Sequence, residues 1–181
     1  VGAYNESTLI WKKTGGEGSD QSESFTSLHT SVRSYPKVPG VVSFVTAVPT
    51  GARRTNRSRG LPIIGFPSID LISAEKLGYA AWHGLWPDPF VGMNLSSLPS
   101  PPSYQDGPVV FTSKDGLSLL IGPLSDPLST VHSIKKESLT FGSSCAIENL
   151  PPSHTVSTVA VVGDGMHDVI SKYGGIMRAL H

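Results

Sequence analysis

From Val41 onward the sequence is cut at short, regular intervals by proline, glycine, serine and aspartate, and the pieces between the cuts are apolar and β-branched. Val41–Val48 in "GVVSFVTAVPTGA" is stopped by Pro49 and Gly51. Leu61–Phe66, Ile69–Ile72 and Gly78–His83 follow, and then Val109–Thr112, Leu117–Gly122, Ser138–Gly142, Ala146–Asn149 and Thr155–Val162. Runs of this length, rich in valine and isoleucine and bounded by turn formers, read as strands. Lys114-Asp115-Gly116 places glycine where a hairpin turn needs positive φ. No helical pattern alternates with the strands, which disfavours a parallel α/β sheet. The fold expected is mostly β: an antiparallel β-sandwich.

One segment has a different period. Met166, Val169, Ile170, Tyr173, Ile176, Met177 and Leu180 form a continuous stripe at helical spacing. It predicts one C-terminal α-helix over 166–181, packed on the sandwich of 36–165. Gly174 and Gly175 lie within the stripe, either permitting close packing on a sheet or ending its first part. Ahead of the sandwich, residues 1–35 read as an extension. Its tract from Thr14 to Ser31 is poor in apolar residues and rich in Gly and Ser, which predicts a mobile loop or tether.

Composition narrows the function classes. Lysine plus arginine and aspartate plus glutamate both number 14, so no global field recruits nucleic acid or an anionic surface. No apolar run approaches the roughly 18 residues of a membrane span. Cys145 is the single cysteine and cannot close an intrachain disulfide; it reads as a buried thiol or a cross-link to another chain. Val1 is neither an initiator methionine nor the start of a signal peptide, which reads as a mature or processed chain. Three N-glycosylation sequons, at Asn5, Asn56 and Asn94, stand beside turn-forming residues. They point to a secreted, extracellular glycoprotein, because glycan addition needs an exposed loop in the secretory lumen.

The local motifs each admit a bland reading. "VVGDGMHD" looks like the metal loop of a haloacid-dehalogenase-type phosphatase, with Asp164 and Asp168 as hard oxygen ligands for Mg²⁺. That chemistry also needs an upstream Asp-x-Asp nucleophile loop, and Asp70 and Asp88 have no aspartate two residues on. The alternative is a strand turning into a helix, with Gly163 and Gly165 for the turn and Asp164 or Asp168 at the helix's positive end. "RRTNRSR" gathers Arg53, Arg54, Arg57 and Arg59. It reads as a patch for sulfated glycans or phosphate, as a minimal proprotein cleavage pattern at Arg54 and Arg57, or as a solvated hairpin loop. "GYAAWHGLWPDPF" supplies Tyr79, Trp82 and Trp86, flat amphipathic rings suited to stacking on sugars; by alternation, one face of this strand is core and Trp82 is a candidate for it. The histidines lie singly, without metal-ligand spacing, so no metal, cofactor or catalytic residue is expected.

The succession "VSFVTAVPTGARRTN", "IIGFPSIDL", "KLGYAAWHGLW", "GPVVFTSKDGLSLLIGPLSD" and "LTFGSSCAIENLPPSHTVSTVAVVGDGMHDVISKYGGIMRAL" resembles the N-terminal β-sandwich region of glycoside-hydrolase-like proteins related in layout to α-galactosidases and raffinose synthases. The resemblance runs from about Gly40 to His181, strongest at Phe66–Ser68, Gly78–Trp82 and the closing strand and helix. It implies a sheet domain placed before a catalytic (β/α)₈ barrel that carries the catalytic carboxylates, so none maps onto this chain. The expected function is carbohydrate recognition or support of a barrel, with a carbohydrate or glycan, or a separate catalytic chain, as partner. Two alternatives stay open: a self-associating extracellular structural glycoprotein, with "NESTLIWKK" donating a strand to a homo-oligomeric neighbour, and, most weakly, the phosphatase.

Overall fold

A computed structural model describes residues 3–12, 23–24, 27–54, 64–70, 77–81, 91–94, 104–127, 129–135, 138–144, 147 and 149–180. The chain is mostly β, with antiparallel sheets and one C-terminal helix. The large sheet has eight strands: β1 (Asn5–Lys12), β3 (Ser27–Ser34), β4 (Val41–Val48), β15 (His154–Asp164), β11 (Leu117–Pro123), β10 (Val109–Thr112), β7 (Gly78–Ala81) and β8 (Val91–Asn94), in that spatial order. A four-stranded sheet orders β6 (Ser68–Asp70), β13 (Ser138–Ser143), β12 (Thr130–Lys135) and β9 (Tyr104–Asp106). A small third sheet joins β14 (Asn149–Leu150), β5 (Ala52–Arg54) and β2 (Glu23–Ser24). Helix α1 spans Gly165–Leu180.

Two cores flank the large sheet. On one face Val109, Phe111, Ile121 and Ala81 meet Ile134, Leu139 and Phe141 of the four-stranded sheet. On the other, Val41, Val110, Leu120, Val159 and Val161 meet Val169 of α1, with Ile170, Tyr173 and Ile176 packed around them. Neighbouring residues in β10 and β11 therefore point into different cores. That is why "VVF" and "LLI" read as unbroken apolar runs rather than as alternation. The helix's stripe is core only in its middle: Val169 is fully buried, while Met166 and Leu180 at its ends are 37% and 40% exposed.

The hairpin at Lys114-Asp115-Gly116 has the expected glycine at φ 89°, and the Ser113 amide donates to the Leu117 carbonyl at 2.8 Å. Helix α1 runs through Gly174 and Gly175; a side chain at Gly175 would meet open space, so neither of the expected roles is required there. Gly122 is different. A Cβ there would stand 2.9 Å from Pro108 Cβ and 3.1 Å from the Tyr173 ring, which lies across the strand.

Several expected boundaries shift. Residues 5–12 and 27–34, set apart from the sandwich by their polarity, are paired strands of its large sheet. Ser27–Ser31 is thus strand rather than tether; the rest of that tract, apart from β2, lies outside the described residues. The reason is side-chain pairing: Thr30 and Ser31 are buried, and their hydroxyls bond Trp11 Nε1 at 2.9 Å and Thr8 Oγ1 at 2.8 Å. Of Leu61–Phe66 only 64–66 are described, and they are not strand: Ile64 has φ 54°. The chain then crosses between sheets. Phe66 stacks edge-on against Phe44 of β4, and the Pro67 carbonyl accepts from the Phe141 amide of β13 at 3.0 Å. Strand β12 carries no apolar run because polar residues fill it. Thr130, His132 and Ser133 are all buried, and the His132 ring packs on Phe141 at 5.1 Å.

Candidate functional site

The "VVGDGMHD" joint is built as a strand-to-helix turn. β15 ends at Asp164, and Gly165, at φ 85°, swings the chain into α1. The Asp168 carboxylate Oδ2 accepts the Asp164 amide at 3.0 Å and Lys172 Nζ at 2.7 Å. Gly163 is the residue that admits this carboxylate, since any Cβ there would collide with it. The Lys172 hydrogen bond and then the Asp164 amide hold the Asp168 carboxyl below the ordinary carboxylate range. Asp164 itself is exposed. Among the described residues no three His, Cys, Asp or Glu side chains come together. The aspartate pair is therefore explained as a cap, one member bonding the other's amide.

A groove lies beside that helix. Helix α1 packs on β15, β11 and β10 and stops short of Arg33, Tyr35 and Val38 across the sheet. The result is a groove of about 750 Å³. One wall is the C-terminal half of α1: Lys172, Gly175, Ile176, Ala179 and Leu180. The floor is Val41 and Val159, and Leu124, Ser125 and Ser157 close one end. That end is fixed by the Ser157 carbonyl, which accepts the Leu124 and Ser125 amides at 2.8 and 3.2 Å. The far wall is Tyr4, Arg33, Tyr35, Val38 and Pro39.

The far wall is ordered by a small network. Arg33 donates through Nε to Glu6 Oε1 at 2.8 Å, and its guanidinium lies 4.7 Å over the Tyr4 ring. Tyr4 meets Tyr35 edge to face at 5.9 Å, and the Tyr35 hydroxyl bonds Ser43 Oγ at 2.9 Å. The Arg33 hydrogen bond leads the effects that lower the Glu6 pKa. Opposite, Tyr173 donates its hydroxyl to the Pro123 carbonyl at 2.7 Å, and burial pushes its pKa up to about 12. The groove is mainly apolar, with two tyrosines and two cations at its edges. It offers surface for an apolar or amphipathic body and no nucleophile–base pair.

The residues singled out in the sequence lie elsewhere or outside the described residues. Trp82, Trp86, Asn56, Arg57, Arg59 and Cys145 lie outside them. Tyr79 is in β7, opposite Phe111 and Met93. Arg53 and Arg54 stand on strand β5 rather than in a loop, in register with Asn149 and Glu23 respectively. Asn5 begins β1 and Asn94 ends β8, the two outer strands of the large sheet. The network of Tyr4, Glu6, Arg33 and Tyr35 was not found in the sequence. Its one signal is the period-2 placement of Arg33 and Tyr35, and of Tyr4 and Glu6, which acquires meaning only once β1 is paired with β3.

No family model matches the chain, and no curated protein matches it in sequence. Solved structures do match in fold. Three are structures of a glycoside hydrolase family 97 enzyme from Pseudoalteromonas sp. strain K8: two of single-substitution variants, the second of them in complex with panose, and one in complex with acarbose. Each is 10% identical to this chain with a TM-score of 0.51, covering 90% of it. The chain spans only 27% of those proteins. The likeness is one of fold, between this chain and a part of a larger enzyme.

Proposed function

We propose that this chain is the non-catalytic β-sandwich domain of a secreted glycoside-hydrolase-like protein, serving carbohydrate recognition or the support of a catalytic barrel. The observation that carries the reading is the fold match, in which nearly the whole of this chain corresponds to about a quarter of an enzyme that binds panose and acarbose. The two roles belong to different surfaces. Recognition falls to the aromatic stretch of Tyr79, Trp82 and Trp86, whose rings suit sugar faces. Support falls to the apolar groove beside α1, a surface suited to a packed neighbour. Secretion follows from the three sequons.

A glycan array that includes panose and acarbose tests the reading. Binding that is lost in Trp82→Ala or Trp86→Ala and kept in Tyr35→Ala assigns recognition to the aromatic stretch. Loss in Tyr35→Ala alone moves the sugar to the groove. An array with no binding leaves the support role alone, and release of sugar from any arrayed glycan contradicts a non-catalytic domain.

A further inference from the structure

Among the described residues, the first strand of the large sheet presents an open edge. β1 pairs with β3 along its whole length, from Asn5 opposite Ser34 to Lys12 opposite Ser27, and ends the sheet order. Among the described residues no strand pairs with its other side. Its consecutive residues Leu9, Ile10 and Trp11 are 61%, 59% and 53% exposed. Natural edges are usually blunted by proline, a bulge, shortness or inward charges. β1 has eight residues, no proline and an unbroken register. Such an edge is a template for another strand.

We propose that the outer edge of β1 pairs with β1 of a second copy of this chain, antiparallel about a two-fold axis at Leu9. The geometry selects the register. A two-fold normal to the sheet keeps each face on its own side, so even-numbered residues must oppose even-numbered ones. Glu6, Thr8, Ile10 and Lys12 share the helix side with Arg33 and Ser31; Ser7, Leu9 and Trp11 share the other with Thr30. The register centred on Leu9 sets Glu6 opposite Lys12 twice, Thr8 opposite Ile10 twice, and Ser7 opposite Trp11 twice. The equally long register centred on Thr8 sets Glu6 against Ile10 and leaves Lys12 outside the pairing. Opposite charges facing each other across a sheet are favourable and like charges are not. Leu9 and Trp11 of the two copies then form one apolar patch on one face, and the isoleucines lie on the other.

This pairing is independent of the glycoside-hydrolase reading. Sedimentation velocity over a concentration series tests it, on the chain made in bacteria so that Asn5 carries no glycan, under reducing conditions so that Cys145 forms no cross-link. The expected result is a reversible dimer. Lys12→Glu, which sets glutamates against each other at both ends, weakens it about tenfold or more. Leu9→Lys, with two charges on the axis, abolishes it. Circular dichroism checks that each variant keeps its sheet. A wild-type chain that stays monomeric at high concentration overturns the proposal. So does a dimer indifferent to Leu9→Lys or to Lys12→Glu.

Discussion

At Gly122 the backbone passes so close beneath the Tyr173 ring that a methyl group has no place. Gly122→Ala must displace that ring, which is itself held by the 2.7 Å bond to the Pro123 carbonyl. We expect a loss of about 1–3 kcal/mol, read as a lower urea midpoint at unchanged slope. His132 sets a pH dependence. Burial pulls its pKa down to about 4, against a weaker opposing hydrogen bond with the Gly107 backbone. An unfolded chain takes up this proton near pH 6.5 and the folded one does not. Stability is therefore complete above pH 6.5 and declines as pH falls toward 4, by roughly 3 kcal/mol in all. Denaturant titrations across that window should show the decline in the native chain and a flatter profile in His132→Gln. Asp168 acts lower on the scale: its pKa is depressed, chiefly by Lys172, so its contribution holds above the ordinary carboxylate pKa and fades as pH falls through the depressed one.

Helix α1 is fixed to the sheet through Val169, Ile170, Tyr173 and Ile176, with Val169 fully buried among Val41, Val110, Leu120, Val159 and Val161. Val169→Ala should cost roughly 2 kcal/mol, measurable as a drop in the unfolding midpoint. Hydrogen exchange should order the strands by position. Amides of β15, held between β4 and β11 and covered on both faces, exchange most slowly; in the dilute monomer the outward amides of β1 exchange fastest. The same ordering explains what could be read in the sequence. β4, β10, β11 and β15 are buried on one or both faces, so their apolar runs announce them. The helix announces itself by its period. β1, β3 and β12 do not, because their stabilisation lies in cross-strand pairs such as Thr8 with Ser31, Trp11 with Thr30 and His132 with Phe141. Those pairs join residues far apart in the sequence, and the groove wall of Tyr4, Arg33 and Tyr35 depends on them. The strand-to-helix joint was legible because its turn, its cap and its first core residue lie within seven residues, Gly163–Val169.

Taken as a whole, the molecule is a large sheet with a helix on one face and a smaller sheet on the other, electrically neutral in sum. Among the described residues no helix is long and apolar enough to cross a membrane. The fold matches part of an enzyme, and the groove beside α1 is mainly apolar. The central proposal is that this chain serves a glycoside-hydrolase-like protein as a β-sandwich domain for carbohydrate recognition or for the support of a barrel. An NMR titration of the isotope-labelled chain with panose reads both roles in one tube. The recognition role predicts saturable shifts confined to one surface, at the aromatic stretch or the groove, and the support role predicts none; under both, the panose anomeric signals stay unchanged over hours. Anomeric signals of free glucose growing in at the expense of panose would contradict it.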